Sequence, residues 1–239
     1  AYGLRALSGI KAHAFTWFDT GNAAALEQAC SAYQEPGAPN ILPKGNEAIW
    51  FVDDQVIKYC DDESFISNRV LRALEIADFV PKLSGVTPHM YRYAKVRGSV
   101  LSDVVNLPLF ERFLTHCATF WEKKLLRVDE ETAFRARCMN FYKDKTLDRV
   151  GLFYRKWERQ DGTETINGIA MPTLSSMFDR LDWNALSHGI PGRFHGDFHF
   201  ENILWSVSQQ SFTFLDWRQD FGGSLSVGDI YYDMAKLLH

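Results

Sequence analysis

Residues 194–204, FHGDFHFENIL, constrain the possible fold and chemistry of this chain more than any other stretch of the sequence. Asp197 and Asn202 lie five residues apart, and Asp216 follows nineteen residues after Asp197. Between them, ILWSV and FTFLDW are β-type runs separated by a polar turn, which is typical of a hairpin. Because a hairpin returns the chain on itself, we expect Asp216 to face a loop that carries Asp197 and Asn202.

Two carboxylates and one amide offer oxygen ligands only, which is the donor type that Mg²⁺ prefers. Transfer of a γ-phosphoryl group requires metal ions beside the triphosphate, a carboxylate that orients the attacking hydroxyl, and a lysine that holds the phosphates. Lys58, near the end of the predicted strand VIKYC, is the natural candidate for that lysine. The pattern therefore predicts phosphoryl transfer from a nucleotide.

The patterns of apolar residues predict an α+β fold. Residues 48–52 and 56–60 are predicted as a hairpin, residues 63–79 as a helix, and residues 82–86 and 90–96 as further strands. Asp62 offers an N-cap to that helix, and Pro81 stops it. The rest of the chain is mainly helical. The predicted elements there are helices over 110–121, 133–150 and 173–187, a hairpin over 203–207 and 212–217, and a helix from Asp229 onwards.

HGDFHFENIL followed by FLDW resembles the catalytic loop and metal-binding Asp of the aminoglycoside phosphotransferase and choline kinase branch of protein-kinase-like folds. The usual family pattern is H-G-D-x-x-x-x-N-[IL], a strand and turn, and then [IL]-D-[WFP]. The resemblance covers roughly residues 45–239. It implies a two-lobed fold, with a small β-sheet N-lobe and a mainly helical C-lobe. It also implies an enzyme that uses ATP and Mg²⁺ to phosphorylate a hydroxyl of a small molecule.

The resemblance also implies roles for individual residues. Asp197 is then the catalytic base, and His195 braces its loop. Asn202 and Asp216 bind Mg²⁺, and Lys58 contacts the α- and β-phosphates of ATP.

Further roles are implied around the nucleotide. Residues 93–97 line the adenine as the inter-lobe hinge, with Tyr93, Lys95 and Val96 as the expected contacts. The helix after Lys58 carries no Glu in its middle to pair with that lysine. Glu63, at the start of the helix, is the preferred partner, and Glu75 is the alternative.

A second resemblance concerns the context of the enzyme. GDIYYDMAKLLH resembles the G-D-x-x-Y-D-[LM]-A helix of the same aminoglycoside phosphotransferase and choline kinase branch, in which Asp229 would support the catalytic loop. LDWRQDFGG followed by GDIYYDMAKLLH is also similar to phosphotransferase-like proteins of bacterial capsule and surface-glycan loci. Several of those proteins carry a sugar-nucleotide pyrophosphorylase-like domain ahead of the kinase-like one, and FTWFDTGNAAALEQA resembles the end of such a domain. The acceptor implied is a sugar, polyol or amino alcohol, and a nucleotidyltransferase domain is expected ahead of this chain.

These observations define the expected domain organisation. Residues 1–33 are a tail resembling the end of a nucleotidyltransferase domain, and residues 34–46 are a linker. Residues 47–97 form the N-lobe. Residues 98–239 form the C-lobe, which we expect to be incomplete at its C-terminus.

Other interpretations remain open at this point. No G-x-G-x-x-G loop precedes Lys58, which favours a nucleotide-binding pseudokinase or scaffold. His195, Asp197 and His199 stand at alternate positions, a spacing that also suits a metal hydrolase. Arg218 is either a surface charge or a contact to a phosphate or an anionic acceptor.

Composition narrows the possible partners. The net charge of −4 gives no basic footprint for nucleic acid. No apolar run approaches the roughly 18 residues that a membrane span needs. The four cysteines form no C-x-x-C pair, so we interpret them as buried small side chains in a reducing cytoplasm.

Overall fold

A computed structural model describes residues 40–238 of the chain. The predicted tail over residues 1–33 lies outside the described residues, as does the first part of the predicted linker, residues 34–39. The last part of that linker is a strand, Asn40–Lys44, which pairs with the strand that follows it. The sheet therefore begins before residue 47, where the sequence placed the start of the N-lobe.

Five antiparallel strands form the main sheet. They are β1 (Asn40–Lys44), β2 (Glu47–Val52), β3 (Gln55–Cys60), β4 (Leu83–Thr87) and β5 (Met90–Ala94). Their spatial order is β1-β2-β3-β5-β4. Alternate residues of β3 point to the interior, so that Lys58 shares its buried face with Val56 and Cys60. A lysine on the inner face of a central strand is directed towards the body of the protein rather than towards water.

One helix, α1 (Glu63–Glu75), connects the two halves of this sheet. The side chain of Asp62 caps it by accepting hydrogen bonds from the backbone N–H groups of Ser64 and Phe65, as predicted. The helix ends four residues earlier than its predicted end. After the helix, Phe79 N–H donates to the carbonyl of Ile76 and closes a turn. The ring of Phe79 lies in the core.

The second part of the fold is mainly helical. Its helices are α2 (Leu101–Val104), α3 (Leu107–Phe120), α4 (Val128–Met139), α5 (Lys145–Lys156), α6 (Leu174–Phe178), α7 (Trp183–Ser187) and α8 (Ile230–Leu237). Its short strands are β6 (Ser99–Val100), β7 (Glu164–Ile166), β8 (Ile169–Met171), β9 (Pro191–Gly192), β10 (Ile203–Ser206), β11 (Ser211–Phe214) and β12 (Gly228–Asp229). The predicted α+β class, with a small antiparallel sheet and a helical part, is confirmed.

Two predicted helices are wrong in their extent. The helix predicted over residues 133–150 is divided by a turn of π-helix, Asn140–Asp144. The helix predicted over residues 173–187 is two short helices, because Asp179 ends the first and Asp182 caps the second with its side chain. The β7–β8 hairpin was not predicted.

An aromatic core joins the two parts of the fold. The ring of Phe79, which follows α1, packs at 5.0 Å from the ring of Phe120 on α3. Phe198 and Phe214, on either side of the β10–β11 hairpin, pack at 4.8 Å. Because rings from both parts bury one another, the sheet and the helices share one continuous core.

Among residues 40–238, no helix combines the length and the apolar character that crossing a membrane requires.

Arg72 of α1 ties this helix to the helical part through buried hydrogen bonds. Its side chain is fully buried, and its guanidinium donates to the carbonyl of Phe194 and to that of Leu225, the latter at 2.8 Å. It also lies 3.8 Å from the centroid of the Phe194 ring. Burial lowers the pKa of Arg72 to about 10, against the attraction of Asp233, so the side chain is charged at neutral pH.

Replacing Arg72 by Met should lower the free energy of unfolding by about 3 kcal/mol, because two buried carbonyls lose their donor. Urea denaturation followed by fluorescence measures the change. Arg135→Met removes an exposed helical arginine, and this control should change stability by less than about 0.5 kcal/mol. Equal unfolding midpoints for the two variants would contradict the structural role of Arg72.

Candidate active site

The loop that leads to Asp197 is held by a buried carboxylate. Asp233 of α8 accepts hydrogen bonds from the backbone N–H groups of His195 at 2.6 Å and Gly196 at 2.7 Å. Trp121 Nε1–H donates to the same carboxylate at 3.2 Å. Burial raises the pKa of Asp233 to about 6, although these hydrogen bonds oppose the shift. The carboxylate therefore fixes the backbone immediately before Asp197.

His195 connects the loop to the strand that precedes Asp216. Its Nε2 lies 2.8 Å from the carbonyl oxygen of Leu215, and Asp197 N–H donates to its Nδ1 at 3.2 Å. This network assigns the proton to Nε2. Full burial lowers the pKa of His195 to about 3, so the ring is neutral at physiological pH. Its position corresponds to the bracing role implied by the sequence.

Asp197 and Asn202 are in direct contact. Asn202 Nδ2 donates to the backbone carbonyl of Asp197 at 2.9 Å and to its Oδ2 at 3.2 Å. Lys236 Nζ lies 2.9 Å from Asp197 Oδ1. Burial acts to raise the pKa of Asp197, but Lys236 and the neighbouring His199 and His195 hold it below its ordinary value. Asp197 is thus an anion that is partly open to the cavity.

Asp216 stands at the end of the β10–β11 hairpin, as predicted. Its φ of 57° lies in the left-handed region, which a non-glycine residue seldom adopts, and such strain is often found at functional sites. Lys58 Nζ contacts its Oδ1, and Arg69 NH1 lies 3.3 Å from the same oxygen. Lys58 from the sheet and Arg69 from helix α1 thus both contact Asp216.

These side chains surround one cavity. It has a volume of about 250 Å³, and its polar lining includes Lys58, Arg69, Asp197, Asn202 and Asp216. The N-terminal part of β2 forms another wall. The structure therefore brings together four of the sequence-predicted residues, from the sheet and from the helical part, around a single space.

The oxygen ligands of this cavity fit a magnesium ion. Both cations that contact Asp216 do so through Oδ1, and the contacts of Asn202 within the loop are made through Nδ2. One carboxylate oxygen of Asp216 and the amide oxygen of Asn202 are the groups that would hold Mg²⁺.

The metal-hydrolase interpretation is wrong for the described residues. Within residues 40–238, no group of three His, Cys, Asp or Glu side chains is placed to hold a metal ion. The His195 ring is fully buried and bonded to a carbonyl, so it cannot serve as a ligand beside His199.

The residues predicted to contact the nucleotide base do not line this cavity. Tyr93 is buried in the core, with its ring stacked 6.4 Å from that of Tyr91. Lys95 and Val96 line a different cavity, of about 470 Å³. Their backbone follows β5, and Lys95 N–H donates to the carbonyl of Asp54 at 2.8 Å. The expected adenine contacts through these side chains remain a prediction.

Glu63 does not line the cavity either. Its carboxylate is 68% exposed and lies 3.2 Å from His89 Nε2, at the outer end of α1. The middle of the helix presents Arg69 to the site instead, where it contacts Asp216 and the hydroxyl of Tyr91. Arg69 thus stands in the middle of the helix, where the sequence offers no Glu to pair with Lys58.

The helix at the end of the chain contains two functional positions that the sequence missed. The implied support of the catalytic loop by Asp229 is wrong, because Asp229 accepts from Ile190 N–H at 2.9 Å and from Tyr142 O–H at 2.6 Å. Asp233 supports the loop, and Lys236, one turn later, contacts Asp197. Asp233 and Lys236 are spaced i, i+3 and therefore share one face of the helix, which is the sequence feature that could have indicated both positions.

Comparison with known proteins gives one match in sequence. Residues 132–239, slightly less than half of the chain, match the model of a phosphotransferase enzyme family. The matched part contains Asp197, Asn202 and Asp216. None of the curated proteins compared with the chain matches it.

Several solved structures resemble the chain loosely. The APH(2″)-IIa enzyme, solved as a ternary complex with streptomycin and ATP, is 15% identical over 89% of this chain and 73% of that chain, with a TM-score of 0.42. A macrolide 2′-phosphotransferase from Brachybacterium faecium is 13% identical over 88% and 75%, with a TM-score of 0.38. A type I macrolide 2′-phosphotransferase is 12% identical over 93% and 78%, with a TM-score of 0.40.

Replacing Asp233 by Asn should lower the free energy of unfolding by about 2 kcal/mol, because the amide NH₂ would replace one carboxylate oxygen and leave the backbone N–H group bound there without an acceptor. Urea denaturation measures the loss. Asp129→Asn removes an exposed carboxylate at the start of α4 and is the matched control. If Asp233→Asn is as stable as this control, the loop does not depend on the carboxylate.

Proposed function

We propose that this chain is a kinase-like phosphotransferase that transfers the γ-phosphoryl group of ATP, with Mg²⁺, to a hydroxyl of a small molecule. One observation carries the proposal. Lys58 from the sheet and Asp197, Asn202 and Asp216 from the helical part converge on one cavity. The family match over residues 132–239 supports it.

The roles of the residues follow from their positions. Lys58 and Arg69 bring positive charge to the side of the cavity where the triphosphate is expected, and Asp216 orients both of them. Mg²⁺, when bound by Asp216 and Asn202, neutralises charge on the transferred phosphoryl group. Such positioning and charge neutralisation contribute most of the catalysis in this class of reaction.

Asp197 is the proposed catalytic base. Its pKa is held below the ordinary value, so it is ionised at neutral pH and can accept a hydrogen bond from the acceptor hydroxyl. In the transfer step, the bond between the γ-phosphorus and the bridging oxygen of ADP breaks, and a bond from the acceptor oxygen to phosphorus forms. The hydroxyl proton passes to Asp197, and the products are ADP and a phosphomonoester.

The acceptor and the biological context rest on the sequence resemblance. A sugar, polyol or amino alcohol used in the synthesis of capsule or surface glycan is the proposed acceptor class. The chain would then act in the cytoplasm, and residues 1–33 would be the end of a nucleotidyltransferase domain in the same polypeptide. Domain boundaries near residues 34–46 and 97–98 are part of the same proposal.

A nucleotide-binding pseudokinase is the second candidate. The contact between Arg69 and Asp216 favours it, because a guanidinium on the proposed metal ligand competes with Mg²⁺ for the same carboxylate. The two candidates differ in whether phosphate is transferred, since both of them bind nucleotide.

Phosphorus NMR with MgATP and a panel of choline, ethanolamine, hexoses, polyols and an aminoglycoside tests the proposal. We expect a new phosphomonoester signal with at least one acceptor. Asp197→Asn should lower kcat by about 10²–10⁴-fold, because the general base is lost. Asp216→Asn should abolish turnover, because one ligand of the metal is lost.

Asp129→Asn is the control and should keep full activity, since this carboxylate is exposed and lies outside the cavity. Far-UV circular dichroism verifies that each variant is folded. Full activity in both Asp197→Asn and Asp216→Asn would contradict the mechanism. Nucleotide binding without phosphate transfer to any acceptor would favour the pseudokinase.

A further inference from the structure

Three cations beside the catalytic loop lack acidic partners. They are Arg218, two residues after Asp216, together with Lys145 and Arg149 on α5. Within residues 40–238, no carboxylate lies within 4.0 Å of any of their nitrogens, whereas Arg69, Arg193 and Lys236 are each ion-paired. The nearest acidic influences are Asp220, which attracts Lys145, and Asp148, which lines the same cavity as Lys145 and Arg149.

Arg218 is fixed against the loop that carries Asp197. Its backbone N–H donates to the carbonyl of His195 at 2.8 Å. Its side chain covers Gly196, where φ is 89° and an added Cβ would lie 2.5 Å from Arg218 Cβ. The Nε of Arg218 is buried without a hydrogen-bond partner. A guanidinium is thus held beside the proposed base with unused hydrogen-bonding capacity.

Phe141 brings Lys145 next to Arg218. The guanidinium carbon of Arg218 lies 5.1 Å from the centroid of the Phe141 ring, and Lys145 Nζ lies 4.2 Å from the same centroid. Phe141 belongs to the π-helical turn that begins at Asn140, and such turns are frequent at functional sites. The turn therefore places the start of α5 against the segment that follows Asp216.

Lys145 also lines a cavity of about 400 Å³, together with Asn140 of the π-helical turn and four further residues of α5. The lining residues are Asn140, Lys145, Asp148, Arg149, Leu152 and Arg155. Burial and the like charges of Arg218 and Arg149 together lower the pKa of Lys145 to about 8, against the attraction of Asp220. Positive charges thus repel one another here, although Asp220 offsets part of this repulsion at Lys145.

We infer that Lys145, Arg149 and Arg218 form an anion-binding subsite for the acceptor. The acceptor is then a small molecule that carries a phosphate or carboxylate group in addition to the hydroxyl that is phosphorylated. This inference rests on the proposed function, and it narrows the acceptor class within it. Guanidinium and ammonium groups suit both phosphate and carboxylate oxygens. These three side chains would repel a cationic acceptor.

Two measurements on the 239-residue chain test the subsite. Calorimetry without nucleotide measures the binding of glucose 6-phosphate, glucose 1-phosphate and glucuronate, with glucose and glucosamine as neutral and cationic counterparts. Phosphorus NMR with MgATP measures transfer to the same five compounds. We expect at least one anion to bind and to be phosphorylated. Comparison of the two sugar phosphates with glucuronate shows whether the subsite prefers a phosphate or a carboxylate group.

Lys145→Met and Arg149→Gln should each raise the Kd and KM of the preferred anion by about 10-fold, because one charge-assisted contact is lost. The Kd of ATP should not change. Lys156→Met is the matched control, because it removes an exposed lysine at the end of the same helix. It should leave all of these constants unchanged.

The outcomes distinguish a failure of the anion-binding subsite from a failure of the proposed kinase activity. Anion binding that depends on Lys145, without transfer to any compound, supports the subsite and contradicts only the proposed kinase activity. Transfer to glucose or glucosamine at rates unaffected by Lys145→Met overturns the subsite and leaves the kinase intact. A loss of ATP affinity in Lys145→Met, or the absence of Lys145-dependent binding of any anion, also overturns it.

Discussion

Buried charges on both sides of the segment before Asp197 hold the candidate active site together. Arg72 donates to the carbonyl of Phe194, and Asp233 accepts from the N–H groups of His195 and Gly196. Both side chains are fully buried, and burial moves the pKa of each towards the neutral form. The desolvation cost is offset because backbone groups that have left water regain their partners. The segment can then present Asp197 in a fixed direction.

The same clamp couples the two parts of the fold. Arg72 belongs to the helix beside the sheet, and Asp233 belongs to the last helix of the helical part. Lys58 and Arg69 cross the same boundary when they contact Asp216. A change in how the parts pack would alter the position of Asp197 and the charge around Asp216 together, so the site depends on the interface more than on either part alone.

The distribution of cations divides the site into two regions. On one side, Lys58, Arg69 and Lys236 are each bound to a carboxylate, as expected of groups held ready for a nucleotide and a metal. On the other side, Lys145 and Arg218 share the ring of Phe141 without an acid within ion-pair distance among residues 40–238. In the proposed function, the first region would serve phosphoryl transfer, and the second is the inferred anion-binding subsite for the acceptor.

The sequence by itself determined the α+β class, the strands around Lys58 and the hairpin that returns Asp216 to Asp197 and Asn202, because these depend on local periodicity and turns. It did not determine the roles of Arg69, Arg72, Asp233 and Lys236, since an arginine or aspartate on a helix has the same local pattern whether it faces water or a buried backbone. It did not show that Glu63 lies against His89 or that Asp229 accepts from Ile190 and Tyr142, because the direction of a side chain at a helix end depends on what packs there. Only the tertiary structure, which sets burial and distance between remote segments, decided those positions.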